Sequence, residues 1–194
     1  MVAAAIMVAV NVNAQTKGDW KSVSLLNLNA ATLTGSDDTK FCIGWGIGEA
    51  ITYGLTDKLA VGINLSWDDL GAKSKAIDKN ISLDYLNVGP LFKYYATSWL
   101  AFEAAPQIGF LLSAKVDGDS KDVLGNKYKD YYKSTAFSLP IGVSFEPDLN
   151  LGDGDTFVVD FRYHLGLSKV NKDGDAMRNS AFILSIGYKF DLGD

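Results

Sequence analysis

"TFVVDFRYHLGL", residues 156–167, sets Asp160, Arg162 and His164 at every second position of an otherwise apolar run. Phe157, Val159, Phe161, Tyr163, Leu165 and Leu167 occupy the positions between and after them. Alternation of this length is the period of a β-strand, whose successive side chains point to opposite faces. Two environments suit such a strand. A soluble sandwich or calyx buries the apolar face and turns the charges to water. A transmembrane barrel does the reverse, with apolar groups against lipid and charges in a narrow lumen.

The same period recurs along the chain. Residues 41–55 give Phe41, Ile43, Trp45, Ile47, Ile51, Tyr53 and Leu55 against a face of mostly glycine. Residues 59–67 set Leu59, Val61, Ile63, Leu65 and Trp67 against Ala60, Gly62, Asn64 and Ser66. Residues 135–145 and 182–190 repeat the pattern, each with five large apolar positions on one face. Segments 81–95 and 99–113 read alike, and 20–32 does so more weakly. With 156–167 the count is eight, an even number that suits a closed antiparallel barrel.

The links between them sort by length. "TDK" (56–58) and "ATS" (96–98) are tight, whereas 68–80, 114–134 and 168–180 are long, polar and charged, with 34–39 intermediate. Short and long links alternate as the two ends of an outer-membrane barrel require. "EPDLNLGDGD" (146–155) breaks the alternation, being long where a short turn is expected.

The faces opposite the bulky residues decide between lipid and water. A lipocalin-like calyx carries dense Lys, Glu and Thr outside, but here those faces are mainly Gly, Ala and Ser with scattered charge. Small residues fit the interior of an eight-stranded barrel, which side chains just fill. The bulky faces are almost free of charge, as hydrocarbon contact requires. The expected fold is all-β, an eight-stranded antiparallel up-and-down transmembrane β-barrel. The competing fold is a soluble or periplasmic lipocalin-like barrel binding a small apolar ligand; "GDW" (18–20) fits that family's Gly-x-Trp opening.

Two positions depart from strict parity. Glu49 falls on the bulky face between Ile47 and Ile51, and a bulge near Gly46 or Gly48 would turn it inward. In 81–95 Ile81, Leu83 and Tyr85 share one face while Leu86, Val88, Phe92 and Tyr94 share the other. One extra residue near Tyr85–Asn87 would reconcile them.

Composition narrows the function classes. Among 194 residues, 18 are basic and 23 acidic, for a net charge of −5. No clustered basic surface points to nucleic acid. The one cysteine, Cys42, rules out an intramolecular disulfide and a multi-cysteine metal site, and is expected to fill a small site on a strand. "MVAAAIMVAVNVNA" (1–14) carries no charge and ends in Val-Asn-Ala, the hydrophobic region and cleavage site of a secretory signal. No Lys or Arg precedes it, so the basic start of such a signal is expected upstream. The mature part, 15–194, is expected to be a single outer-membrane domain.

The run "LDYLNVGPLFKYYATSWLAFEAAPQIGFLLS" (83–113) resembles the Tyr-Leu-x-x-Pro-Leu-x-x-Lys-Tyr strand, followed by a glycine-containing strand, of the PorT-like small outer-membrane β-barrel family. "YGLTDKLAVGINLSW" (53–67) resembles that family's hairpin with its Leu-Thr-Asp turn, and "SIGYKF" (185–190) its aromatic-ended last strand. The chain departs by inserting Gly89 before Pro90 and by adding "DLGD" after Phe190. The resemblance implies a bacterial outer-membrane barrel.

Parity then assigns the chemistry. Lys93, Glu103, Asp160, Arg162, His164 and Lys189 are expected in the lumen as an ionic network, because desolvated charges must pair. Glu103 and Asp160 are the two candidate partners of Arg162. Trp45, Tyr53, Trp67, Phe161, Tyr163, Tyr188 and Phe190 are expected against lipid or at its interfaces. Tyr128, Tyr131 and Tyr132 in the 114–134 loop are candidate contacts for a partner. A catalytic role would need His164 as a base oriented by Asp160, but no nucleophile stands in a recognisable setting. Acidic glycine runs such as "DGDS" lack the spacing of a twelve-residue calcium loop. The chain is expected to be a non-enzymatic, monomeric outer-membrane protein with lipid as its surroundings and an extracellular partner unknown. No cofactor or metal is expected.

Overall fold

The computed structural model describes residues 17–147 and 155–192. The expected signal segment and most of the 146–155 link lie outside these residues. Eight strands form a ring: β1 (Trp20–Thr34), β2 (Cys42–Thr56), β3 (Leu59–Asp69) and β4 (Asn80–Tyr95), then β5 in two runs, Leu100–Ala104 and Gln107–Val116. The ring continues through β6 (Thr135–Phe145), β7 (Thr156–Gly166) and β8 (Arg178–Asp191). Each strand pairs antiparallel with the next, and β8 returns to β1 from Lys21↔Asp191 to Thr34↔Arg178. Closure leaves no open edge among these eight strands.

The tight links form as their chemistry demands. At 56–59 the Thr56 hydroxyl accepts from the backbone N–H of Lys58 (3.2 Å) and Leu59 (3.0 Å). Thr97 repeats the device at the β4–β5 turn, accepting from Leu100 at 3.1 Å. At the other end the loops are long. There a two-residue strand, Thr39–Lys40, pairs with Ala72–Ser74 and extends the wall upward.

The interruption of β5 falls at Ala105–Pro106, where proline brings no N–H to the ladder. Gly89 on β4 faces this point: a Cβ there would come within 2.1 Å of the Pro106 carbonyl oxygen. The glycine that departs from the family pattern is thus required by close approach of the neighbouring backbone.

The facing of 81–95 corrects the sequence expectation. β4 keeps one parity throughout, with Leu83, Tyr85, Asn87, Leu91, Lys93 and Tyr95 all turned inward and buried. Asp84 pairs with Ser113 and Tyr85 with Leu111, so the extra residue is Leu112, on β5. Leu83 and Tyr85 are apolar because that end of the interior is apolar, not because they face outward.

The outward faces carry the bulky groups. Trp45 is 56% and Phe161 48% exposed. Tyr53, Trp67, Tyr163, Tyr188 and Phe190 share the outward parity of their strands. Aromatic pairs collect near both ends, with Trp20–Tyr53 (5.0 Å between ring centroids) and Trp99–Phe145 (6.0 Å) toward the tight turns. Trp45–Trp67 (4.7 Å) and Tyr163–Phe182 (5.1 Å) lie nearer the long loops. Two aromatic belts around an apolar band are the anatomy of a barrel in a bilayer.

Candidate functional site in the barrel lumen

The interior is layered. At the long-loop end Leu33, Leu70, Leu83, Tyr85, Leu111 and Val170 belong to one buried apolar cluster, against which Tyr128, Tyr132 and Met177 pack. Tyr128 and Tyr132, two of the three candidate contacts for a partner, are therefore turned into the barrel mouth. Tyr131 is exposed and donates its hydroxyl to Asp122 at 3.0 Å.

Nearer the middle, the buried Asp68 carboxylate is held by neutral donors. Asn27 (2.8 Å) and Asn29 (3.4 Å) donate to one oxygen, Ser66 (2.6 Å) and Asn87 (3.1 Å) to the other. Gly46 makes room for it, since a Cβ there would lie 2.2 Å from Asp68 Oδ1. Hydrogen bonds from four side chains replace the lost water around this carboxylate.

Toward the tight turns lies an ionic ladder. Arg162 donates through Nε to Glu103 and through Nη2 to Asp160 at 2.6 Å. Lys93 stands 3.5 Å from Glu103 and 2.7 Å from Glu146. Lys189 reaches the other oxygen of Glu146 at 2.6 Å, where Tyr95 also donates at 3.2 Å. Ser144 donates to Glu146 at 3.0 Å. The side chains of all three cations and three carboxylates are at most 9% exposed. Equal numbers of opposite charges, each within ion-pair distance of a partner, are what burial of ions demands.

Gly142 explains how Arg162 and Glu103 meet. The two residues lie on β7 and β5, with Gly142 of β6 paired to both. A Cβ at Gly142 would sit 3.0 Å from Arg162 Cγ and 2.2 Å from the Phe161 carbonyl oxygen. Its missing side chain lets the ion pair close across an intervening strand.

Five of the six lumen residues expected from parity stand in this ladder. His164 does not. It is buried, but among the described residues its Nδ1 has no hydrogen-bond partner, and Asp160 is committed to Arg162. His164 lies two residues from Arg162 toward the apolar cluster, and among the described residues no acid ion-pairs with it, so the base-and-orienter pair is not assembled. Glu146 and Asp68 were missed. Both continue the inward parity of their strands by one more step, Ser144 to Glu146 and Ser66 to Asp68.

Glu49 is the remaining departure. The β1–β2 and β2–β3 registers run without a shift through it, so no bulge turns it inward. Its carboxylate lies on the outer surface, accepting hydrogen bonds from the hydroxyls of Ser22 and of Ser24, the latter at 2.6 Å.

A family model described as "outer membrane protein beta-barrel domain" matches residues 1–190. The chain belongs to this family. It is a transmembrane protein of the bacterial outer membrane, and its bulky outward faces meet lipid. That removes the soluble calyx, whose polar and apolar faces would be exchanged. Among solved structures the barrel is similar to OprG of Pseudomonas aeruginosa, with a TM-score of 0.58 and 14% identity over 95% of this chain and 100% of that one. Ail of Yersinia pestis, solved with the heparin analogue sucrose octasulfate, gives 0.55 at 16% identity over 90% and 100%. Neisserial surface protein A gives 0.53 at 15% identity over 89% and 97%. At these identities the likeness concerns the fold alone. No curated protein matches the chain.

Proposed function

We propose that this barrel is a non-enzymatic, closed outer-membrane protein of the PorT-like type, acting as a membrane-structural element or through its outer loops. One observation carries the closed lumen: an apolar cluster stacked on a charge-balanced ionic ladder, both filled with side chains. An eight-stranded interior is narrow enough for side chains to fill it. Planar-bilayer recordings of the purified protein should show no steady conductance. Steady conductance of porin size would overturn closure.

The outer loops support an interaction role. Asp122 staples the tip of the β5–β6 loop, accepting from Leu124 N–H and Asn126 N–H at 2.9 Å each and from the Asn126 amide at 3.0 Å. The staple holds Val123 and Leu124 out at 102% and 84% exposure. An ordered apolar tip loses little conformational freedom on meeting a partner. The domain plan belongs to the same proposal: residues 1–14 are a signal and 15–194 the mature barrel. N-terminal sequencing of protein from outer membranes should then begin at Gln15.

A further inference from the structure

Glu49 sits where a carboxylate has least reason to be. On the outward faces of β1, β2 and β3, between the pairs Trp20–Tyr53 and Trp45–Trp67, it is the one acidic or basic side chain among the described residues. A charged group at that depth is unfavourable against hydrocarbon and marks a functional contact by default. Ser22 and Ser24 satisfy part of it, but a carboxylate has about four acceptor sites and these hydroxyls fill two. The serines also matter for shape. They break the bulky outward row of β1, and grooves flank Ser24 on both sides, about 390 Å³ toward Trp67 and about 640 Å³ toward Tyr188.

The register names the complement. Ser24 pairs with Glu49 on β2 and with Tyr188 on β8, so acceptor and phenol flank the same serine. Two copies of one chain enter the membrane in the same orientation and at the same depth. Their simplest symmetry is a two-fold axis along the membrane normal, which makes an isologous contact. An axis beside Ser24 turns the β2 side of one barrel toward the β8 side of the other. We propose that the β8–β1–β2 face is a self-association surface, on which Glu49 of each barrel accepts a hydrogen bond from Tyr188 of a second copy. Both halves of the contact are made twice. The Tyr188 hydroxyl, which donates to Asp155 at 3.0 Å in the single chain, changes partner on association. This departs from the monomer expected from sequence, and Glu49 is the reason.

The test is oligomeric state with a positional control, made on the full barrel in outer-membrane vesicles and in detergent. In a C42S background, L26C lies beside Ser24 on the proposed face and F102C lies on β5, across the barrel. Oxidative cross-linking should give a dimer with L26C and none with F102C. Sedimentation equilibrium in detergent should show self-association that weakens about eight- to a hundredfold with E49L or Y188F, since each variant removes two hydrogen bonds from the dimer. E49Q, which keeps an acceptor, should lose less. Heat-modifiable gel mobility should persist in every variant, because the contact is external to the fold. A monomer at all concentrations, equal cross-linking at both sites, or unchanged association in E49L and Y188F would each overturn the proposal. Loss of the folded band in E49L would do so as well, by showing that Glu49 serves the barrel wall itself.

Discussion

Glu146 offers the sharpest perturbation of the lumen. Replacing it by Leu removes the carboxylate shared by Lys93 and Lys189 while keeping side-chain bulk. The two lysines do not suffer equally. Lys93 retains Glu103 at 3.5 Å, whereas Glu146 is the one ion-pair partner of Lys189 among the described residues. Tyr95 and Ser144 also lose their acceptor. The damage therefore corresponds to one broken buried pair rather than two. Breaking such a pair by removing one partner costs about 3–5 kcal/mol. Urea unfolding from lipid vesicles measures it, read by the four tryptophans, which all lie outside the lumen. The double variant E146L/K189M separates charge from packing: replacing a whole buried pair by apolar groups is often neutral, so it should recover most of the loss. If E146L unfolds within about 1 kcal/mol of the parent, smaller than the cost of one stranded charge, the ladder is not the structural element described above.

Further outcomes follow from the same geometry. Phe161→Arg should destabilise the barrel by roughly 2–4 kcal/mol, the cost of a cation near the bilayer midplane, and a lipid-phase thiol reagent should label F161C but not R162C. Gly142→Val should cost about 1–3 kcal/mol by overpacking and part Arg162 from Glu103, again read by urea unfolding. The Asn126 amide, aided by backbone N–H groups and the Tyr131 hydroxyl, holds the Asp122 carboxyl below its ordinary range. Its contribution to loop order is complete above the ordinary carboxylate value and is lost as pH falls through the lower folded value, so the amide resonances of Leu124 and Asn126 should move only in that acid range. Deleting 119–126 should leave the heat-modifiable band intact, whereas a deletion reaching Tyr128 and Tyr132 should weaken it, because those rings pack on the apolar cluster.

Alternation made the ring legible, because a two-residue period survives whatever lies on either side of the wall. It located all eight strands and five of the six ladder groups. It failed where the medium changes along a strand. Ile81, Leu83 and Tyr85 read as outward because they are apolar, yet the outer end of this lumen is itself apolar, so hydropathy gives the same letter for two opposite faces. The register shift that would have settled the matter lies in β5 at Leu112, and a bulge leaves no trace in the partner strand's own sequence. Glu146 and Asp68 were lost differently. Each follows the last apolar residue of its strand and so looked like the start of a loop, although the count by twos already carried them inward.

Glu49 shows what parity can establish when composition objects. Chemistry favoured an inward turn by way of a bulge, and the count favoured an outward carboxylate. The unshifted registers on both neighbouring strands side with the count. Interior charges in this barrel are satisfied from within, Glu103, Glu146 and Asp160 by two lysines and an arginine and Asp68 by four neutral donors. An exterior one has no such neighbours among the described residues. Among the described residues two serine hydroxyls are what the single chain supplies, and they leave acceptor capacity unused. The lumen therefore satisfies its buried acids from its own side chains while the β8–β1–β2 face leaves Glu49 partly unsatisfied, and an incomplete surface at lipid depth is where a partner has something to contribute.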